Sequence, residues 1–255
     1  MIALKDSSAS VVHVGVRRQC YYCPVRARAP CGGLRDTNSL ERLDLAHTLP
    51  RRVAPGATVV APGERAASTY TVLNGWVALI DTLKDGQMVI HHFALPGDVI
   101  PLELLGDQST RSAVAVGEAT VCAFTPASHQ RLRREDGLYD ARYQAAIARE
   151  LHYAYDHFAD IALASAAERV AKLLWGLSVR SLHRRPLASD LIPAPLNQIQ
   201  IGLATGLTAV HVSRTLKQLR EQNLITFEDH MIGIDNPRAV ERFTGASADL
   251  MDMWM

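Results

Sequence analysis

The chain has 255 residues, 48% of them hydrophobic, and a formal net charge of +1. This length and apolar content suffice for two domains with full cores, and no apolar run approaches the length of a membrane span. Because the net charge is nearly zero, any affinity for nucleic acid must come from a local basic patch. The amino-terminal residues lack the cationic start and continuous apolar core of a signal peptide, so we expect a soluble, cytoplasmic protein with no membrane partner.

The cysteines are the first candidates for chemistry, and in a reducing compartment they are expected to be metal ligands or free thiols. They are Cys20, Cys23, Cys31 and Cys122. The first three lie on a segment where Pro24 and Pro30 disfavour a regular helix, so this loop can wrap around a ligand. Four thiolates suit an iron–sulfur cube, whereas structural zinc usually takes two close Cys-x2-Cys pairs and only Cys20 and Cys23 form one. Zinc and plain thiols remain the alternatives.

From about residue 51 to residue 126 the chain consists of short apolar runs separated by turn glycines, a pattern typical of an antiparallel roll or jelly roll. The predicted strands are 70–73, 76–82, 87–94, 113–116 and 120–125. Asn74-Gly75, between the first two strands, is a strong signal for a two-residue β-hairpin. Alternation along the last strand places Cys122 and Phe124 on the same face.

Residues 141–165 change to a long helical pattern. Their apolar positions step alternately by four and three residues, which is the spacing of a coiled-coil seam. The positions are Ile147, Leu151, Ala154, Phe158, Ile161 and Ser165. Such a helix either pairs with a second copy of the chain or lies on the core of its own domain.

A further helix is predicted over residues 166–181, and a linker over 183–195 leads from it to two short helices that meet at Gly206. Glycine at this point permits a sharp turn that a side chain would obstruct. Asn197 can cap the first of the two helices and Thr208 can cap the second. A β-hairpin over residues 225–234 follows, and the whole pattern predicts a winged helix-turn-helix.

The second short helix is amphipathic, with Val212, Leu216 and Leu219 on its inner face. A first turn without bulky side chains, followed by basic residues, suits a helix that enters the major groove of DNA. The candidate DNA-contacting residues are Thr208, Val210, His211, Ser213, Arg214 and Lys217. The alternative is an αα-corner in an enzyme, but no paired carboxylates, nucleophile elbow or phosphate loop accompany the histidines, so we predict no enzymatic activity.

The order of cysteine loop, β-roll, long helix and winged helix-turn-helix resembles the CRP/FNR superfamily of bacterial transcription regulators. The resemblance covers about residues 20–243. The segments that resemble the family most are NGWVALIDTLKDGQMVIHHFALPGDVI, AAERVAKLLWGLS and GLTAVHVSRTLKQLR. Three amino-terminal cysteines and a fourth in the β-roll are similar to the oxygen-responsive FNR branch. This implies a 4Fe–4S cluster on Cys20, Cys23, Cys31 and Cys122. It also implies a homodimer on two-fold symmetric double-stranded DNA, with RNA polymerase as a further partner.

The chain departs from the family pattern at three places. Seven residues separate Cys23 from Cys31, where the best-known members have five, and this bears on the stability of the cluster. The cyclic-nucleotide branch carries a Gly-Glu-Leu segment and an Arg-Ser pair, and here only Arg111-Ser112 is present, since residues 101–104 read Pro-Leu-Glu-Leu. A regulator that binds a cyclic nucleotide or another small ligand, without a cluster, is therefore the alternative. Val210 replaces the family's base-reading Glu, which changes the expected half-site.

These patterns together predict an α+β protein, with an antiparallel β-roll followed by a long dimerisation helix and a winged helix-turn-helix. Because helix-turn-helix proteins commonly dimerise to read paired half-sites, we interpret the seam as a dimer interface. The expected parts are a flexible amino terminus with the cysteine loop (1–34), a β-roll sensor domain (35–140), the dimerisation helix (141–165), the DNA-binding domain (166–245) and a tail (246–255).

Overall fold

The computed structural model describes residues 20–34, 37–63, 69–100, 109 and 111–245. The predictions made for residues 1–19, 101–104 and 246–255 lie outside this described part. The described residues form two compact units. The first unit contains the described residues up to Gly86 and those of His92–Leu151. The second unit contains Gln87–His91 and the described residues from His152 onward. Within the described ranges, no helix combines the length and the apolarity needed to span a membrane.

The predicted antiparallel roll is confirmed. Its strands are β1 (Arg51–Val53), β2 (Thr58–Val60), β3 (Thr69–Asn74), β4 (Val77–Thr82), β5 (Met88–Ala94), β6 (Val99–Ile100), β7 (Ser112–Ala115) and β8 (Ala119–Phe124). They form two four-stranded sheets with the orders β1-β8-β3-β6 and β2-β7-β4-β5. Apolar side chains from both sheets, among them Val72, Val77 and Val121, are buried in one core cluster, as a sandwich of two half-buried sheets requires.

The hairpin predicted at Asn74-Gly75 is wrong. Strand β3 pairs with β8 and β6 in the first sheet, whereas β4 pairs with β7 in the second. The chain therefore turns here from one sheet to the other, with Gly75 at a φ of +74°. A Cβ on Gly75 would lie 2.1 Å from the carbonyl oxygen of Glu118, so only glycine fits. The dipeptide correctly signals a sharp turn but carries no information about the partner strand.

Two helices and the cysteine loop build a second core cluster beside the roll. The loop ends in a short 3-10 helix (Pro30–Gly33), and helices α1 (Thr37–Ala46) and α2 (Pro126–Glu135) were not predicted from the sequence. The buried residues of the cluster include Leu34, Leu40, Leu43, Phe124 and Leu132. Because Phe124 lies on β8 two residues after Cys122, this cluster fixes the end of that strand near the loop.

The long helix α3 spans Gly137–Leu163. Its first turns lie on the core of their own unit, with Tyr139, Tyr143 and Ala146 buried. Its later turns expose large apolar side chains. The helix ends before Ser165, which instead accepts a hydrogen bond from the backbone N–H of Glu168 and caps helix α4 (Ala166–Leu182). Ser165 therefore does not belong to the seam.

Side-chain contacts hold the last turns of α3 against α4. The guanidinium of Arg180 lies 5.8 Å from the ring centre of Tyr153, a cation–π distance. Lys172 of α4 forms an ion pair with Asp160 of α3. Because only two residues separate the two helices, these contacts make them one packed pair.

The second unit contains the predicted winged helix-turn-helix. After α4 come β9 (Leu191–Pro193), α5 (Gln198–Thr205), α6 (Ala209–Glu221), β10 (Ile225–Glu228), β11 (Met231–Ile234) and α7 (Pro237–Thr244). The three strands form a sheet in the order β10-β11-β9. Strand β9 lies inside the segment predicted as a linker, and its Ile192 is buried opposite Ile232. Three residues that include Pro193 are too few to show strand alternation, and proline is tolerated because β9 is an edge strand.

Candidate functional site

Local hydrogen bonds build the turn between α5 and α6 as predicted. The side chain of Asn197 accepts from the backbone N–H of Gln200 at 2.9 Å, and the Gln200 side chain accepts in return from the N–H of Asn197 at 2.9 Å. Gly206 ends α5 in the left-handed region at a φ of +67°. Thr208 begins α6, where its Oγ1 accepts from the N–H of His211 at 3.2 Å. These bonds fix the direction in which α6 leaves the turn.

Helix α6 has the two faces that the sequence predicts. Val212, Leu216 and Leu219 are buried in the domain core. The exposed residues are Thr208, Val210, His211, Ser213, Arg214 and Lys217. No acidic residue lies in the first turn of α6, so the end that would enter a DNA groove carries only neutral and basic side chains. An ion pair between Arg220 and Glu228 connects α6 to the β-hairpin behind it.

The fold brings the four cysteines together from three elements. Cys20 lies in a turn of the loop and Cys23 lies between two turns, whereas Cys31 lies in the 3-10 helix and Cys122 on β8. Cys20 belongs to the buried cluster that contains Phe124, and Cys31 and Cys122 pack against it. The four are free thiols.

The environment of the thiols opposes ionisation. Burial is the largest influence in each case, and it raises the pKa of Cys31 to about 12, with a further increase from the charge of Cys23. Burial also raises the pKa of Cys122, and the charges of Cys31 and Cys23 add to the increase. The pKa of Cys20 is raised by burial and then by its hydrogen bond to Asp44. Neighbouring thiolates can repel one another in this way only when they lie close together.

The spacing of the sulfurs bears on what they could hold. Among the described residues, no three of the four sulfurs lie within 4.8 Å of one another. A single zinc ion with Zn–S bonds of ~2.3 Å needs sulfurs ~3.8 Å apart. A cube of four irons spreads its ligands over its corners and needs a wider separation. The described residues therefore do not hold three of these sulfurs at the spacing of a single zinc ion.

The cysteine loop rests on the start of α3. Arg142 Nη2 donates to the carbonyl oxygen of Ala27 at 2.5 Å. Gly33 approaches the same helix so closely that a Cβ there would lie 2.6 Å from Leu138 Cγ. Arg26 Nη1 donates to the carbonyl oxygen of Cys20 at 3.3 Å and ties the start of the loop to its middle. A displacement of the loop must therefore disturb the first turns of α3.

Two polar residues that the sequence analysis missed lie beside Cys20. The Oδ1 atom of Asp44 accepts from the backbone N–H of Cys20 at 2.9 Å, and His47 Nε2 lies 3.3 Å from the same oxygen. Burial disfavours the charge on Asp44, but the hydrogen bonds from Cys20 and His47 outweigh burial and lower the pKa of its carboxyl. Both residues belong to α1 or directly follow it. A prediction of that helix would have placed them one turn apart on one face.

Arg111 and Ser112 do not form an open clamp for a phosphate. Arg111 Nε lies 3.4 Å from Asp81 Oδ1. Ser112 is buried in β7, where it pairs with Ile80 of β4. Because the guanidinium already faces a carboxylate, an anionic ligand would have to displace an ion pair.

The predicted dimer residues form an exposed apolar seam on α3. We use this name for Ile147, Leu151, Ala154, Phe158 and Ile161. Leu151 is 53% exposed, Phe158 74% and Ile161 43%, and Ala154 is also exposed. Ile147 is half-buried. Contiguous exposed side chains of this size mark a surface that another molecule covers.

The β-roll, the long helix and the exposed helix α6 are together typical of a DNA-binding regulator. Residues 50–136 match the family of cyclic nucleotide-binding domains, and residues 168–243 match the Crp-like helix-turn-helix domain. The nitrogen fixation regulation protein FixK of Bradyrhizobium diazoefficiens is 35% identical over 229 residues, 89% of this chain and 94% of that one. The transcriptional activatory protein AadR of Rhodopseudomonas palustris is 30% identical, over 88% of this chain and 92% of that one.

Solved structures agree with these sequence matches. FixK2 from Bradyrhizobium japonicum superposes with a TM-score of 0.69 at 29% identity, over 79% of this chain and 99% of that one. The chain belongs to the CRP/FNR family of DNA-binding transcription regulators. These relatives are regulators and not enzymes, so the enzyme alternative is excluded.

Proposed function

We propose that this regulator senses oxygen or redox state through a 4Fe–4S cluster held by Cys20, Cys23, Cys31 and Cys122. The observation that carries the proposal is the assembly of all four thiols from three separate elements. Four thiolates that include only one close Cys-x2-Cys pair suit a cluster better than a single zinc ion. When bound, the cluster would supply a centre that oxygen can oxidise.

The chain itself provides a route from this centre to the long helix. Cys31 lies in the 3-10 helix whose Gly33 approaches Leu138 of α3. Arg142 of the same helix holds the loop through the carbonyl group of Ala27. Loss of a ligand at Cys31 would release this loop and with it the support of the first turns of α3.

The active form in this proposal is a homodimer on a two-fold symmetric DNA site. The apolar seam supplies the contact between the two copies. Two copies of α6 would then read half-sites about one helical turn apart, and DNA-bound dimers would contact RNA polymerase. A closed C2 pair buries the same apolar positions of both chains against one another.

The test is to purify the full chain without oxygen. We expect a brown protein with about four iron and four sulfide per chain, whose visible absorbance disappears in air. Cys122→Ala should abolish the cluster, because three thiolates leave one iron without its protein ligand. Thr120→Ala, on the same strand, is the matched control and should retain the cluster. A colourless anaerobic protein with one zinc per chain would refute the proposal.

The second candidate function is binding of a cyclic nucleotide, and the family match of residues 50–136 is the observation that favours it. The ion pair between Arg111 and Asp81 argues against it. We expect cyclic AMP at micromolar concentration to leave DNA affinity unchanged. Saturable binding that is lost in Arg111→Ala would instead establish the β-roll as a nucleotide sensor.

A further inference from the structure

Cys20, Asp44 and His47 form a second group of potential ligands, which shares Cys20 with the group of four thiols. One ligand atom from each of the three lies within 4.8 Å of the other two, and no other such group occurs among the described residues. This second group is largely shielded from water, with the side chains of His47 and Asp44 7% and 19% exposed and Cys20 9% exposed. A thiol, a carboxylate and an imidazole are the donor set that a divalent transition-metal ion prefers.

The orientation of His47 is the one found in metal sites. Its Nδ1 lies 2.6 Å from the carbonyl oxygen of Thr48. Because a carbonyl can only accept, Nδ1 carries a hydrogen, which leaves Nε2, the atom that faces Asp44, to bind an ion. Metal-ligating histidines usually donate their second ring N–H to a backbone carbonyl or carboxylate in this way. The ring is also held by edge-on contact with Phe124, at 6.1 Å between centroids.

The distance between the two harder ligands has the right magnitude. His47 Nε2 and Asp44 Oδ1 lie 3.3 Å apart. Bonds of ~2.0–2.2 Å from nitrogen and oxygen to a tetrahedral ion separate such ligands by ~3.4 Å. A hydrogen bond joins these two atoms in the metal-free protein, and the ion would take the place of its proton.

The geometry points to a mononuclear site for a divalent ion of the Zn²⁺ or Fe²⁺ class, ligated by Cys20 Sγ, an Asp44 carboxylate oxygen and His47 Nε2. Binding releases to solvent the thiol proton of Cys20 and the proton shared between His47 Nε2 and Asp44, and thiolate plus carboxylate then balance the two charges of the ion. Water completes the fourth position, as in other sites with three protein ligands.

An ion at this site would compete with the proposed cluster for Cys20. This competition rests on the proposed function, whereas the site itself does not. Cys20 belongs to both ligand sets, so a mononuclear ion that holds it removes one of the four corners of the cube. The ion and the cluster therefore exclude one another. A chain loaded with zinc would resist cluster assembly until the ion is removed.

The experiment titrates cobalt(II) into full-length protein that has been freed of metal and kept reduced. Cobalt(II) replaces zinc, and it gives a ligand-field spectrum and a thiolate charge-transfer band. We expect about one cobalt per chain, with at least a tenfold loss of affinity in His47→Gln and in Asp44→Asn. Two variants are used because either one alone could disturb α1. Cys23→Ala is the matched control, since it removes a neighbouring thiol outside the site, and its affinity should stay within twofold of the parent.

Two results would overturn the site: no cobalt bound at micromolar concentration, or equal losses of cobalt affinity in Cys23→Ala and His47→Gln.

A second experiment adds iron and sulfide without oxygen to His47→Gln and to the parent, each with and without prior zinc. Zinc should slow assembly in the parent and not in His47→Gln. Cobalt binding without any cluster assembly contradicts the proposed function alone, whereas cluster assembly without cobalt binding contradicts the mononuclear site alone.

Discussion

Replacing Phe158 with alanine should weaken dimerisation strongly, whether or not the proposed cluster is present. Phe158 lies in the middle of the apolar seam and is 74% exposed in the single chain. The seam contains no charged residue that would hold two copies apart. Asp160 lies beside it but is already paired with Lys172 of α4. We therefore expect the dimer to persist in Cys122→Ala, which lacks one thiol of the proposed cluster.

The magnitude follows from the exposed fraction of the ring. Full burial of a phenylalanine side chain contributes ~1.5–3 kcal/mol. Three quarters of that contribution is available to a partner, which gives ~1–2 kcal/mol for each chain and ~2–4 kcal/mol for the symmetric pair. The dimer dissociation constant of Phe158→Ala should thus rise on the order of 30- to 1000-fold.

The assay is sedimentation at micromolar concentration in the Cys122→Ala background. The parent should sediment as a dimer and the Phe158→Ala variant as a monomer. Leu163→Ala is the control, because Leu163 is 88% exposed on the same helix but lies on the side opposite the seam. A clean monomer for Cys122→Ala alone would show that the cysteine loop governs α3. An unchanged dimer in Phe158→Ala would show that the seam is not the interface.

Three further predictions concern DNA reading and the roll. Arg214→Ala should cost ~1–3 kcal/mol in DNA binding and relax one G·C position, measured by fluorescence anisotropy, while exposed Arg238→Ala on α7 should change little. Val210→Glu should shift the preferred half-site toward cytosine in a binding selection, and an unchanged preference would mean that Val210 does not face a base. Gly75→Ala should destabilise the fold by ~2 kcal/mol or more in urea unfolding, because its φ of +74° and the Glu118 carbonyl oppose a side chain. Wild-type stability of that variant would contradict the corner geometry.

The sequence predicted the DNA-binding half well because its signals are local. Asn197, Gly206 and Thr208 form caps and a turn within a few residues of themselves. The inward face of α6 repeats at helical spacing over thirteen residues. Caps and periodicity of this kind do not depend on which distant segment packs against them.

The half that contains the β-roll was predicted less completely because its decisive contacts are long-range. Asn74-Gly75 has the local chemistry of a hairpin, but β3 finds its partners in β8 and β6. Asp44 and His47 reach Cys20 across 24 and more residues through a helix that the sequence analysis did not recognise. The family resemblance indicated the four thiols, yet no residue spacing could indicate that Cys20 also faces a histidine.

The packing of α4 against the end of α3 determines how the two DNA-reading helices of a dimer can be spaced. Arg180 over Tyr153, and Lys172 with Asp160, attach α4 to the turns of α3 that carry the far end of the seam. Arg169 of α4 also donates to the carbonyl oxygen of Thr205 at 2.9 Å, directly before the turn into α6. A rotation of one seam against its copy would therefore be carried to both recognition helices. The crossing angle of two α3 helices would then select the length of DNA between half-sites that the regulator accepts.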